Sequence, residues 1–320
     1  MKQLWFRWVR LLETVEPAES LALCRIMAGI GLMASVSFAW HHETWRLLWL
    51  DAAEGGYRTL AELPWLIRLA GGARPGVVPP MMVLAGLCGL ALLLGWRARW
   101  SAAVGLVLFN SLIRINPHDG SAYDSLLTNQ LFLLAWAHSA GTWSLEARLR
   151  HGSWGPLTLV PAWPRWVMIV QLVLCYASTG MQKLGATWLP GGELSAVHYI
   201  LQDPFWRRFD LDLWLPGCLW LTRLATAATW WFEVLAPLLL VALWLRATPK
   251  RPGFWRALCH RFDPRVAFAV FGILFHLGLH LLMRIGPFSW IIVSYYPALW
   301  AGSEIRGFCE LLERNPKRSP

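Results

Sequence analysis

Residues 166–192 read WVMIVQLVLCYASTGMQKLGATWLPGG. The stretch is uncharged as far as Gln182, then carries Lys183, and breaks at Trp188, Pro190 and a pair of glycines. Its apolar run predicts a membrane-spanning helix over 164–181, with Lys183 at the helix end near the bilayer surface. An ionisable group at that depth costs several kcal/mol unless it is paired, neutral or in contact with water, which marks it as a functional candidate. A lysine near a helix end also has a plainer reading, in which its ammonium reaches into the headgroups while its stem stays in lipid. Position alone leaves both open.

Outward from this stretch, the chain is 56% apolar and 15% charged, with 23 tryptophans and a positive mean hydropathy, which excludes the soluble class. The expected fold is an all-α integral membrane protein. Trp40, Trp96, Trp100, Trp143, Trp166, Trp188 and Trp300 fall near the ends of apolar runs, where an amphipathic ring suits the interface. The net charge of +10 comes from short basic blocks between those runs, which is how topology signals look, and no nucleic-acid motif is present. Six cysteines without a C-x-x-C pair suggest packing residues rather than a zinc site or a disulfide framework. The amphipathic start, MKQLWFRWVRLLETV, and Arg25 in the next run argue against a cleaved signal peptide.

The hydropathy pattern predicts about eight spans, over 20–40, 80–94, 100–115, 126–138, 164–181, 224–245, 266–283 and 287–300. The expected organisation is an amphipathic cytoplasmic helix over 1–19, a transmembrane domain over 20–300 and a basic cytoplasmic tail over 301–320. Arg25 lies a turn inside the first span and is expected to snorkel rather than to form a buried ion pair. Segments 41–79 and 191–221 are read as interfacial helical pieces. Pro237 is a candidate kink in the sixth span. Arg97, Arg99, Arg148, Arg150, Arg246, Lys250, Arg251, Lys317 and Arg318 gather on segments of one side, which predicts that both termini are cytoplasmic. The loop over 115–125 and Lys183 then emerge on the outer side, where they could share one outward-facing pocket.

Three further features carry chemistry, and a fourth does not. The loop INPHDGSAYDS brings Asn116, His118, Asp119, Tyr123 and Asp124, and Asn129 and Gln130 continue its polarity into the fourth span, where such groups need partners. Glu233, beside Trp230 and Trp231, is a second costly intramembrane charge. His276 and His280 sit at i and i+4 on one helical face. That spacing suits metal or haem, but no carboxylate motif stands beside it, so polar packing is the stronger reading and no metal is predicted. The adjacent pair His41 and His42 points in two directions and reads as ordinary surface.

The order of these parts resembles the HTTM domain family, bacterial relatives of the vitamin K-dependent gamma-glutamyl carboxylase. The resemblance rests on SLALCRIMAGIGLM, on NPHDGSAYDSLLTNQLFLLAW leading into WSLEARL, on YASTGMQKLGATWLPGG, on EVLAPLLL, and on FHLGLHLLMRIGPFSWIIVSYYPALW. It implies a membrane enzyme that uses a reduced quinone of the vitamin K or menaquinol type, oxygen and carbon dioxide as its small-molecule partners. Lys183 matches the base that deprotonates the hydroquinone, and His276 matches a histidine of the active-site region. Trp188, Glu233, His280, Asn116, His118 and Asp124 become candidates for binding substrate or cofactor. A free lysine has a pKa of about 10.4, and desolvation can bring it toward about 7, the range of a usable general base.

Three departures separate the chain from the carboxylase. Gln182 stands where the carboxylase has a second lysine, Asn116 and His118 do not keep its spacing, and no large lumenal domain follows the last span. The implied product is a modified secreted peptide or small substrate, made at a bacterial inner membrane by a site facing the periplasm or exterior. The competing expectation is a non-catalytic membrane partner, or a peptide maturation or export factor, that reuses the scaffold. A transporter is a weaker third, because the chain shows no internal duplication.

Overall fold

The structure, a computed structural model, describes residues 2–248 and 252–314. Lys250, Arg251, Lys317 and Arg318, counted above toward the cytoplasmic side, lie outside the described residues. The chain is mostly helical and divides into two compact units, residues 1–168 with 290–320, and residues 169–289. Among the described residues two helices, over 19–41 and 264–282, are long and apolar enough to cross a membrane, and a bent pair over 216–247 makes a third candidate, fewer than the eight spans expected from hydropathy.

The first unit begins with α1 (Lys2–Leu12) and a three-residue strand β1 (Val15–Pro17), followed by the long α2 (Glu19–His41). Short helices α3 (Thr44–Trp49) and α4 (Trp65–Leu69) precede a hairpin of α5 (Val78–Leu94) and α6 (Ala98–Ile113). Then come α7 (Ala122–Trp136), α8 (Leu145–His151) and β2 (Leu159–Pro161), which pairs antiparallel with β1. Helix α2 packs on α5, α5 on α6 and α6 on α7. The α2–α5 crossing is tight because two glycines meet there: a Cβ on Gly29 would lie 2.6 Å from the Gly89 carbonyl oxygen. Small residues allow this approach where packing, rather than expulsion of water, holds helices together.

Arg25 departs from the snorkelling expectation. Its side chain is fully buried and donates to four backbone carbonyls: Nε to Ser139 at 3.1 Å, Nη1 to Leu92 and Leu93, and Nη2 to Trp143 at 2.7 Å. Leu92 and Leu93 are in the last turn of α5, where carbonyls lack the usual partner four residues on, although the Leu92 oxygen also accepts from the Gly95 N–H at 3.0 Å. The guanidinium fork satisfies them and complements the negative end of the helix dipole. Gly95 follows at φ +68°, and a Cβ there would lie 2.6 Å from Arg25 Nη1.

The last predicted span, 287–300, is broken. Helix α15 (Phe288–Val293) begins in the second unit but is short, and the chain continues as a 3-10 turn over Tyr296–Leu299, where Pro297 has no N–H to extend a helix. This segment is sewn into the first unit. Ser20 Oγ donates to the Pro297 carbonyl at 3.0 Å, Tyr295 Oη to the Leu126 carbonyl at 2.6 Å, and Gln130 exchanges two bonds with Ser294. Arg165 donates to Glu16 Oε1 at 2.6 Å and to the Ala298 carbonyl at 3.0 Å. The stretch read as a basic tail contains a helix over Gly302–Arg314.

The second unit takes up α9 (Trp163–Gln182), which starts in the first, and continues with α10 (Ala196–Gln202), α11 (Leu219–Leu235), α12 (Pro237–Ala247), α13 (Phe254–Arg261), α14 (Pro264–Leu282) and the start of α15 (Phe288–Val293). The final helix of the chain, Gly302–Arg314, is α16. The segment leading into α11 and α12 is bent by 49° at Ala236–Pro237, so the predicted kink is present.

Candidate active site

Lys183 is the first residue past α9. Its Nζ donates to both carboxylate oxygens of Glu233 on α11, at 2.6 and 2.5 Å. The side chains are 19% and 5% exposed, so this is a sheltered ion pair and the snorkelling alternative is not what the structure adopts. Gly180 makes the contact geometrically possible, since a Cβ there would lie 2.9 Å from Glu233 Cβ and from the Val234 nitrogen. Trp188 covers the ammonium, with Nζ 4.4 Å from its ring centroid, adding a cation–π contact. Sequence reasoning nominated these three residues separately, and the fold brings them together.

Seven residues before Lys183, inside α9, Tyr176 forms a second buried polar pair. Its hydroxyl lies 2.6 Å from His276 Nε2 on α14. Phe232, the neighbour of Glu233, and Phe268 set their rings against Tyr176 at 4.9 and 5.7 Å. Nδ1 of His276 is buried and has no hydrogen-bond partner among the described residues. His280 follows one turn on, half-buried, and no group of three metal-ligating side chains gathers among the described residues. Tyr176 was missed as a functional residue, although its spacing of seven from Lys183 was available as a signal.

An open apolar groove of about 580 Å³ runs along the bend between α11 and α12 and the start of α14. Trp231, Phe232, Leu239, Phe268 and Phe271 are among its walls. Phe232 and Phe268 therefore face both the groove and the Tyr176 ring.

The remaining candidates belong to the first unit. Asn116 is fully buried, and its Oδ1 accepts from the backbone N–H of the exposed His118 at 3.0 Å. Asp124 is committed locally: its Oδ2 accepts from the Ser121 N–H and hydroxyl at 2.9 and 3.0 Å, closing the start of α7. Asp119 accepts from Trp49 Nε1 at 2.5 Å, a partner 70 residues away that no local pattern announces.

The HTTM domain family matches residues 14–249. The chain belongs to that family. No curated protein and no solved structure matches it. The match places this HTTM protein in a family related to the vitamin K-dependent carboxylase. The matched region contains Asn116, Asp124, Lys183, Trp188 and Glu233, and it ends before α14, so His276 and His280 lie beyond it.

Proposed function

We propose that this HTTM protein is a membrane enzyme that uses a reduced quinone and oxygen, with Lys183 as its base, to drive proton abstraction from a peptide or small substrate. One observation carries the reading: the Lys183–Glu233 pair, sheltered under Trp188 at the end of a long apolar helix. The pair sets an amine nitrogen against both oxygens of a carboxylate in a sheltered site. Ammonium with carboxylate and amine with carboxylic acid have the same net charge. Shifting the proton from Nζ to Glu233 therefore frees a base without adding charge to an apolar interior.

The surrounding side chains fit a prenylated quinone. The buried Nδ1 of His276 offers a hydrogen-bonding atom to a ring oxygen, and the apolar groove suits an isoprenoid tail. When bound, the reduced quinone and oxygen supply the strong base that a lysine alone cannot provide, and carbon dioxide is the co-substrate if the product is a carboxylate. Lys183 would hold or take a proton at the ring hydroxyl, His276 would orient the ring, and Trp188 would exclude water. In the same reading the chain crosses a bacterial inner membrane about eight times, with cytoplasmic termini and a site facing the periplasm or exterior.

The test is quinol oxidation and epoxide formation by detergent-purified protein, comparing wild type with Lys183→Ala. Loss of a general base lowers turnover by roughly 10²–10⁴-fold. Breaking a buried pair from one side costs about 3–5 kcal/mol, so Lys183→Met with Glu233→Gln supplies a variant that leaves no lone buried charge. Turnover retained in either folded variant overturns the assignment. A second reading draws on the same pair: the two bonds between Nζ and Glu233 satisfy both partners, as in a scaffold protein serving peptide maturation or export. That reading requires both Lys183→Arg and the double variant to keep cellular function.

A further inference from the structure

Helix α16 is one-sided in a way that its docking explains. At about 100° per residue, Gly302 and Arg306 fall on one face, while Phe308 and Leu311 fall on the opposite arc and Leu312 on its flank. The first face is fastened to the root of the spanning helix α2. Arg306 pairs with Glu19, the first residue of α2, and donates to the Pro156 carbonyl at 3.0 Å. Gly302 lies so close to Pro17 that any Cβ there would overlap its carbonyl. The other face is open, with Phe308, Leu311 and Leu312 exposed by 62, 67 and 57%, and its one acid, Glu304 in the first turn, is bound back to the Ala301 N–H at 2.8 Å.

These contacts fix the level of α16 in the membrane. It is fastened where α2 begins, so it lies at the entry plane of that span. With 13 residues it is only about 20 Å long, too short for a core of about 30 Å, and its charged residues exclude a crossing. A helix at that level with one face clamped to a span and an apolar face turned away has the interfacial layer of the bilayer as its neighbour. The same end of the unit carries α1, whose Trp5 and Phe6 are exposed and whose Trp8 meets Trp166 edge-on at 6.4 Å. Strand β1, which follows α1 in the chain, pairs with β2 and packs against α16.

We infer that α16 is an in-plane membrane helix whose Phe308–Leu311–Leu312 face is buried among lipids at the headgroup–acyl boundary. The experiment places p-benzoylphenylalanine at position 308 or at position 310 of the full chain and reconstitutes each into phosphatidylcholine–phosphatidylglycerol nanodiscs. After illumination, mass spectrometry reads the adducts. Several-fold more lipid adduct at 308 than at 310 is expected. Equal adduct at the two positions, or none at 308, overturns the inference, and so does a covalent dimer through 308, which would assign the face to a second copy. Position 308 is exposed, so the probe itself does not threaten folding, and the thermal midpoint of each labelled protein checks this.

Discussion

Asp119 holds its proton to higher pH than an ordinary aspartate, its pKa pushed up to about 6 from 3.8. Burial is the main cause, the neighbouring Asp124 adds to it, and the hydrogen bond from Trp49 works the other way. The unfolded chain releases this proton first, so the group's contribution to stability is complete below pH 3.8 and is lost as pH rises through about 6. The loss amounts to about 1–3 kcal/mol. Asp119→Asn should therefore flatten the fall in thermal midpoint between those pH values, and an unchanged pH profile would contradict the assignment. Single residues were partly legible in the sequence. Lys183 and Glu233 stood out because charge in an apolar run is costly, yet nothing in a linear pattern could pair residues 50 positions apart. Arg25 was misread for a related reason: snorkelling is inferred from depth alone, whereas its actual partners are carbonyls, which sequence does not distinguish.

At the scale of helices, the crossing of α9 and α11 depends on Gly180. Adding a methyl group there puts a Cβ 2.9 Å from backbone and Cβ atoms of α11, which cannot swing aside as a side-chain tip can. Gly180→Ala should push the helices apart, cost about 1–3 kcal/mol and weaken the Lys183–Glu233 contact. A thermal midpoint equal to wild type would show that the crossing is looser than described. Helix positions were the most legible feature. Apolar runs marked α2, α5, α6, α9 and α14 closely, and Pro237 marked the bend, because hydropathy and proline report directly on burial and backbone donors. The broken segment after α15 was hidden, since an apolar run reads the same whether it is one helix or a helix and a 3-10 turn. The amphipathic period of α16 was present in the sequence and was masked by the basic residues beyond it.

For the molecule as a whole, the first unit is assembled from both ends of the chain. Residues 290–300 close it through Ser294, Tyr295, Pro297 and Ala298. A chain ending at residue 289 should leave residues 1–168 open to limited proteolysis in native membranes, and a resistant fragment would refute this. No sequence pattern foretold that closure, because it joins residues 133 to 277 positions apart. Arg25 extends the point from space to time. Its carbonyl partners are synthesised 67 to 118 residues after it, which at roughly 5–20 residues per second is a wait of roughly 3–24 s. During that interval the first span must keep a charge near the membrane surface, and the arrival of α5 and then of the segment before α8 sets the order in which the bundle can close around it.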